Sequence, residues 1–170
     1  MSAMNEDAVD RIVAQWRREM PDLELDAMAA FGRIHRVSRK VGDRNHAAFA
    51  EFGIGRNEFD VLASLRRSGE PFTLSPKQIG ASLMLSSGGL TGRLDKLESA
   101  GFVERLPDPS DRRGLKIRLT EAGREAVEGA LRAELVILED ALSELDAKER
   151  KDLGALLRKL HAGFEDQPFG

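Results

Sequence analysis

Cysteine and tyrosine are both absent from this chain, while histidine occurs three times and tryptophan once. Without thiols there is no disulfide framework, no thiolate nucleophile, no cysteine-based zinc site and no direct thiol redox sensor. The histidines, His35, His46 and His161, are scattered. Even the nearer two stand eleven residues apart, about three turns of one helix, too far to share a metal ion. A solvated or helix-capping role suits each of them. With no nucleophile and base brought together and no metal site, the chain is expected to be no enzyme and to carry no cofactor. Long apolar runs are missing too. Nothing approaches the roughly 20 residues needed to cross a bilayer, and the N-terminal stretch holds Asp, Glu and Arg where a secretory leader is apolar. A soluble, cytoplasmic protein with no membrane partner is the expectation.

What is present is a charged but adequately hydrophobic chain, 41% apolar and 32% charged over 170 residues, above the level at which disorder sets in. That length makes one domain or two small ones and buries roughly 70% of the unfolded surface. A net charge of -3 argues against indiscriminate coating of nucleic acid, yet the charge is uneven. Residues 1–85 are neutral, residues 86–118 carry +2 and residues 119–170 carry -5. A positive stretch ahead of an acidic C-terminal third keeps a local nucleic-acid surface open.

Helical periodicity dominates. Leu25, Met28, Phe31, Ile34, Val37 and Val41 recur at three- and four-residue steps and predict a long amphipathic helix that Ala48, Phe49 and Phe52 close before Gly53. A second helix, with Asn57 as its cap, runs through Phe59, Leu62 and Leu65 to Ser68-Gly69. Ser75-Pro76-Lys77-Gln78 then combines a capping hydroxyl, a first-turn proline and a glutamine placed to reach back. The short helix it starts is followed at once by another, from Ser86 or Ser87 to Ala100-Gly101, whose buried stripe is Leu90, Leu94 and Leu97. The period then changes. Phe102 to Leu106 and Leu115 to Leu119 read as strands around the turn formers Pro107-Asp108-Pro109-Ser110-Asp111. Thr120 caps a long helix predicted to reach Leu145, about 39 Å, and Asp146 with Glu149 opens a last one.

Helix, turn, helix, hairpin is the order of a winged helix-turn-helix, whose second short helix enters the major groove of DNA while the hairpin reaches a minor groove. On a helical wheel Leu94 and Leu97 lie within about 40° of Leu90, and Gly88, Gly92, Asp95, Lys96 and Ser99 take the opposite side. Small residues there let a helix sit deep in a groove. At the hairpin tip, Arg112 and Arg113 suit an electronegative groove and Asp111 is placed to brace one guanidinium. A solvated helix beside a charged loop, or a winged helix used only for protein contact, would carry the same pattern.

The run Asp111-Arg112-Arg113-Gly114-Leu115-Lys116-Ile117-Arg118-Leu119-Thr120-Glu121-Ala122-Gly123 resembles the wing-to-helix signature of the MarR family of bacterial transcriptional regulators. Ser86 to Leu94, with Leu97-Glu98-Ser99-Ala100-Gly101, is similar to that family's recognition helix. The likeness runs from about residue 25 to residue 164. It implies a mainly α fold: a winged helix-turn-helix with long N- and C-terminal dimerisation helices and a two-stranded wing. The implied division is an extra N-terminal helix in residues 1–22, dimerisation helices in 23–52 and 121–165, and a DNA-binding lobe in 53–120. The implied partners are double-stranded DNA at a pseudopalindromic operator and a second copy of the chain, with repression, or sometimes activation, as the output. Ser87, Thr91, Arg93, Lys96, Asp111, Arg112 and Arg113 are the DNA-contact candidates.

A narrower likeness concerns an effector. The N-terminal helix containing Trp16, together with Asp60, Arg67 and Arg93, resembles the Trp/Asp/Arg/Arg set of the urate-responsive branch of these regulators, and Arg105 matches a further basic residue of that branch, placed to serve either the pocket or wing attachment. The resemblance implies a small anionic aromatic ligand such as urate, held by a guanidinium and stacked on an indole. Asp60 and Arg67 are seven residues apart and so share a helix face. Arg93 lies about 60° from the leucine stripe and can serve either side. Plainer roles stay open: Trp16 pinning its helix, Asp60 and Arg67 favouring opposite helix ends, and Arg93 holding a phosphate. A phenolic or carboxylate effector, or none, is the alternative.

Overall fold

The computed structural model describes residues 6–83, 87–109 and 111–165, with the side chains of Ser87, Arg112, Arg113 and Glu165 outside that description. The chain forms two compact units, residues 1–47 and 48–170. In the first, α1 (Ala8–Glu19) carries Trp16. Its start is fixed by a capping box. Asp7 Oδ1 accepts from the N–H groups of Val9 (2.6 Å) and Asp10 (2.9 Å), and Asp10 Oδ2 accepts from Asp7 N–H (2.9 Å). Arg33, on the following helix α2 (Asp26–Ala50), grips both carboxylates at 2.9 and 2.6 Å. The Asp7 carboxyl is held below its usual range, chiefly by the Asp10 N–H, which together with the Val9 N–H and Arg33 outweighs the upward push from burial. Val9, Val13 and Leu25 bury together, with Val9 against Gly32. Met28, Phe31, Ile34 and Val37 of α2 remain exposed.

α2 stops at Ala50, so Phe52 lies in the turn that follows rather than in the helix; that turn holds Gly53 at φ 71°, and the Ile54 N–H returns to Phe49 O at 3.3 Å. The second unit continues with α3 (Arg56–Arg67), β1 (Thr73–Leu74), α4 (Pro76–Leu83), α5 (Ser87–Ser99), β2 (Val103–Asp108), β3 (Asp111–Leu119), α6 (Glu121–Ala141) and α7 (Ala147–Glu165). The fold is the expected mainly α winged helix-turn-helix. The sheet is antiparallel in the order β1-β3-β2, so the two-stranded wing gains a short third strand, Thr73 opposite Arg118 and Leu74 opposite Ile117. The wing strands also reach nearer the tip than the turn formers suggested, with Pro107 paired to Leu115. One core serves the unit: Phe49, Phe59, Leu62 and Leu65 meet Ile79 of α4, the α5 leucines, Ile117 and Leu119 of β3, and Val127 and Ala130 of α6.

The α4 start is as expected: Gln78 Oε1 accepts from Ser75 N–H at 2.8 Å and Ser75 Oγ accepts from Gln78 N–H at 3.3 Å. Two further boundaries differ from expectation. Asn57 does not cap α3; Gly55 does, and Glu58 reaches back to the Gly55 N–H at 3.0 Å. The long C-terminal helix stops at Ala141 rather than Leu145, 21 residues and about 32 Å instead of 39 Å. Its end is a tight turn in which Ser143 and Leu145 N–H groups bond three residues back, to Asp140 and Leu142 carbonyls. Leu142 and Leu145 keep the leucine spacing through that turn, which is why periodicity alone overran it. Asp146 and Glu149 then close a capping box at 2.8 and 2.9 Å and start α7. Along α6 and α7, Leu131, Leu135, Val136, Leu138, Leu153, Leu156, Leu157 and Leu160 are exposed. Among the described residues no helix is long and apolar enough to cross a membrane.

Candidate nucleic-acid interface

The inner face of α5 is anchored by Leu90, Leu94 and Leu97, each 3% exposed or less. Its outer face is nearly bare. A Cβ built on Gly88 or Gly92 would meet nothing within 4 Å, so packing among the described residues does not demand glycine at either position. Ser87 begins α5, with its side chain outside the described residues, and Thr91 and Lys96 are exposed on the flanks of the helix. Lys96 is not a loose cation: its Nζ donates to Glu58 Oε1 at 3.0 Å. Burial pushes the Glu58 carboxyl up. The hydrogen bond from Lys96, the backbone N–H groups of Glu58 and Gly55, and the Lys96 charge outweigh this and hold it below the usual glutamate range. Arg93 is half-buried on the same flank as Lys96 and makes no ion pair among the described residues.

Beside α5 stands the wing. Glu104 and Arg118 pair across its outer face at 2.6 Å, and Lys116 meets Asp108 at 3.2 Å. Gly114 lets the tip fold tightly, since a Cβ there would lie 2.9 Å from Asp108 Cβ and 3.1 Å from Asp111 Cβ. Asp111 is exposed; Arg112 and Arg113 belong to β3, but their side chains lie outside the described residues. The wing is tied to α6 at Thr120. Its hydroxyl donates to Gly101 O (2.7 Å) and accepts from Gly123 N–H (3.0 Å), while its N–H donates to Phe102 O (3.1 Å). A Cβ on Gly123 would fall 2.0 Å from that same Phe102 oxygen. The spacing of Leu119-Thr120-Glu121-Ala122-Gly123 thus has a mechanical cause: only glycine lets the first turn of α6 lie against the α5-to-β2 junction.

Asp60 and Arg67 both line one small cavity, about 290 Å³, walled by Phe59, Ala63, Leu83 and Val127. Its rim consists of ion pairs that the sequence reading missed. Arg56 meets Asp60 at 3.2 Å and Glu134 at 2.8 Å, and Arg66 meets Glu128 at 2.7 Å. Arg66 holds the Glu128 carboxyl below its usual range, chiefly through that hydrogen bond. Arg67 donates only to its own helix, to Ala63 O at 3.2 Å, among the described residues. Arg93 and Arg105 are not part of this wall. Arg105 instead grips Asp95 and Glu98 of α5, and it lines a larger cavity of about 750 Å³ between α4, α5 and the wing, with Leu90, Leu94 and Leu115. Trp16 is 43% exposed on α1 of the first unit. That unit also carries a cationic run hidden by the neutral average: Arg33, Arg36, Arg39, Lys40 and Arg44 against Asp43. No group of three metal-ligating side chains occurs among the described residues.

Residues 52–114, from the turn after α2 into β3 of the wing, match the MarR family. The chain is 38% identical over 152 residues to the HTH-type transcriptional regulator PecS of Dickeya dadantii (strain 3937), spanning 89% of this chain and 92% of that protein. It is 34% identical over 141 residues to the uncharacterized HTH-type transcriptional regulator YkoM of Bacillus subtilis (strain 168), spanning 83% and 88%. Among solved structures it is similar to a mutant MarR from E. coli complexed with operator DNA, at 29% identity and a TM-score of 0.67, covering 85% of this chain and 96% of that one. These relatives are regulators of transcription, not enzymes.

Proposed function

Since the chain belongs to the MarR family of transcriptional regulators, we propose that it is a homodimeric repressor in which α5 of each copy enters the major groove of a pseudopalindromic operator. One observation carries the reading: a leucine-anchored helix turns a glycine-lined face outward beside a hairpin wing, and nothing among the described residues fills the space over those glycines. Thr91 and Lys96 flank that face, with Ser87 at its start and Arg93 at its border. From the sequence, Arg112 and Arg113 serve the minor groove, with Asp111 beside them. The domain division follows: residues 53–120 bind DNA, residues 23–52 and 121–165 pair the copies, and residues 1–22 add a helix. The exposed stripes on α2 and on α6 and α7 support pairing, because apolar faces of this extent in a soluble regulator call for a cover. The test is a titration of the chain on the DNA upstream of its own coding sequence against a shuffled duplex. A strong preference is expected, with Arg113→Ala reducing the slope of log affinity against log salt by about one. Equal binding to both duplexes would favour a winged helix used for protein contact.

For the effector, the cavity of Asp60 and Arg67 is the supported location. A planar anion fits the chemistry of a guanidinium with no carboxylate partner among the described residues, above an apolar wall. Urate is the specific ligand proposed, with Trp16, Arg93 and Arg105 entering through the resemblance alone. Thermal shift decides, since a ligand that binds the folded chain stabilises it in proportion to the logarithm of its excess over Kd. Urate is expected to raise the Tm of the native chain and to do so less for Asp60→Ala and Arg67→Ala. A larger shift with salicylate would replace urate by a carboxylate effector, and no shift with either would remove the ligand assignment.

A further inference from the structure

We propose that Arg105 is a positioning residue: by clamping α5 to the wing it sets the sequence discrimination of the recognition helix without itself touching DNA. The inference rests on the DNA-binding reading above and goes beyond it by separating the residues that meet DNA from a residue that holds them in place.

The clamp follows from strand geometry. Neighbours on an antiparallel pair point to the same face, and Arg105 is paired with Ile117 as Val103 is with Leu119. Val103, Ile117 and Leu119 are buried, so Arg105 occupies an inward position among apolar residues, while Glu104 and Arg118 take the outer face. From there its guanidinium donates through Nη2 to Asp95 Oδ1 at 2.6 Å and through Nη1 to Glu98 Oε2. The two acids stand three residues apart, neighbours on one side of α5. A planar fork engages both at once, and a lysine ammonium on its flexible stem has no such preorganised geometry. The Arg105 guanidinium is correspondingly held above its ordinary value, chiefly by the hydrogen bond to Asp95 and also by the charges of Glu98 and Asp95.

Charge excludes Arg105 as a phosphate contact. One cation between two carboxylates leaves the cluster negative, and a DNA backbone gains nothing by approaching it. On the opposite flank of α5, Lys96 is held by Glu58 of α3. The helix is therefore fixed in roll from both sides, with the bare glycine face between the two ties. Base edges are read only when side chains arrive within about 0.5 Å of the productive geometry. Phosphate attraction tolerates far larger displacements and carries no sequence information. Releasing the wing-side tie should blur sequence discrimination while leaving the phosphate contacts intact.

The experiment measures binding of the full chain and of Arg105→Gln, Arg105→Lys and the double variant Asp95→Asn/Glu98→Gln. The probes are the footprinted upstream duplex and a shuffled duplex of equal length, at several salt concentrations. Arg105→Gln is expected to lower the ratio of specific to shuffled affinity about tenfold, the size of one misread base pair, with an unchanged salt slope. The double variant is expected to lose the same ratio even though removing two negative charges favours DNA of any sequence, and Arg105→Lys to fall between. If Arg105→Gln fails to fold, the double variant decides alone. A native ratio in the double variant overturns the proposal, and so does a native ratio in a folded Arg105→Gln or a salt slope reduced by about one, which would mark a direct phosphate contact. A native chain that prefers neither duplex overturns the DNA-binding reading itself, and the positioning role falls with it.

Discussion

Two leucine stripes of the same spacing meet opposite fates in this molecule. On α5, Leu90, Leu94 and Leu97 vanish into the core; on α6, Leu131, Leu135 and Leu138 stay open, Leu135 at 54%. Periodicity tells that a helix has an apolar face but not whose surface covers it. A stripe met by neighbouring elements of its own chain builds the lobe. One left open is available to a second copy. The same contrast divides the glycines: those at 123 and 129 are wedged against Phe102 and Phe52, whereas those at 88, 92 and 154 face open space.

The sharpest way to break the comparison is to truncate one leucine from each stripe. Leu97→Ala is expected to cost about 2–5 kcal/mol at any protein concentration in urea unfolding, the range for a fully buried leucine. Leu135→Ala should cost little in a dissociated chain and act through a weakened association, so that its Tm deficit depends on concentration. Equal, concentration-independent losses would show that both stripes are internal. Next in size is the glycine pair. Gly123→Ala forces a methyl into the Phe102 carbonyl and is expected to destabilise by about 1–3 kcal/mol or more. Gly154→Ala, in the open middle of α7, should stabilise by about 0.5–1 kcal/mol.

Gly92 sharpens the comparison on the recognition helix. Gly92→Ala should also stabilise the free chain by about 0.5–1 kcal/mol, while Gly92→Gln lowers specific DNA affinity about tenfold by holding the helix off the groove floor. Unfolding and binding titrations on the same samples separate the two effects. The smallest expected effect is electrostatic. Because the folded-state value of Glu58 is depressed below the usual 4.5, its stabilisation is present above that value and is lost as the pH falls through the lower folded value. The acid limb of a stability-against-pH profile should therefore be shallower in Glu58→Gln. An identical limb would remove the Lys96 tie from the stability of the lobe.

What could be read in the chain and what could not divides along the same physical line. Caps and stops act over three or four residues, so Ser75 with Gln78, Asp146 with Glu149, and the glycines at 53 and 101 were legible, as was the α5 stripe. Gly55 was passed over as the α3 cap because glycine offers no capping side chain; the usable signal was Glu58 three residues on. The two-residue β1 is too short to have a period at all. The ties that hold the site join residues far apart, Glu58 to Lys96 across 38 positions and Arg56 to Glu134 across 78, and local pattern carries no trace of them. Arg105 did leave one: an arginine two positions after Val103, where strand alternation asks for an apolar residue.

The most direct test of the central claim, that a symmetric pair offers α5 to DNA twice, is a hydroxyl-radical footprint of the chain on the duplex upstream of its own coding sequence. Two protected half-sites on one side of the helix, centred about 34–36 Å apart, are predicted. Protection confined to a single half-site, or none at a concentration that saturates the protein, would contradict it.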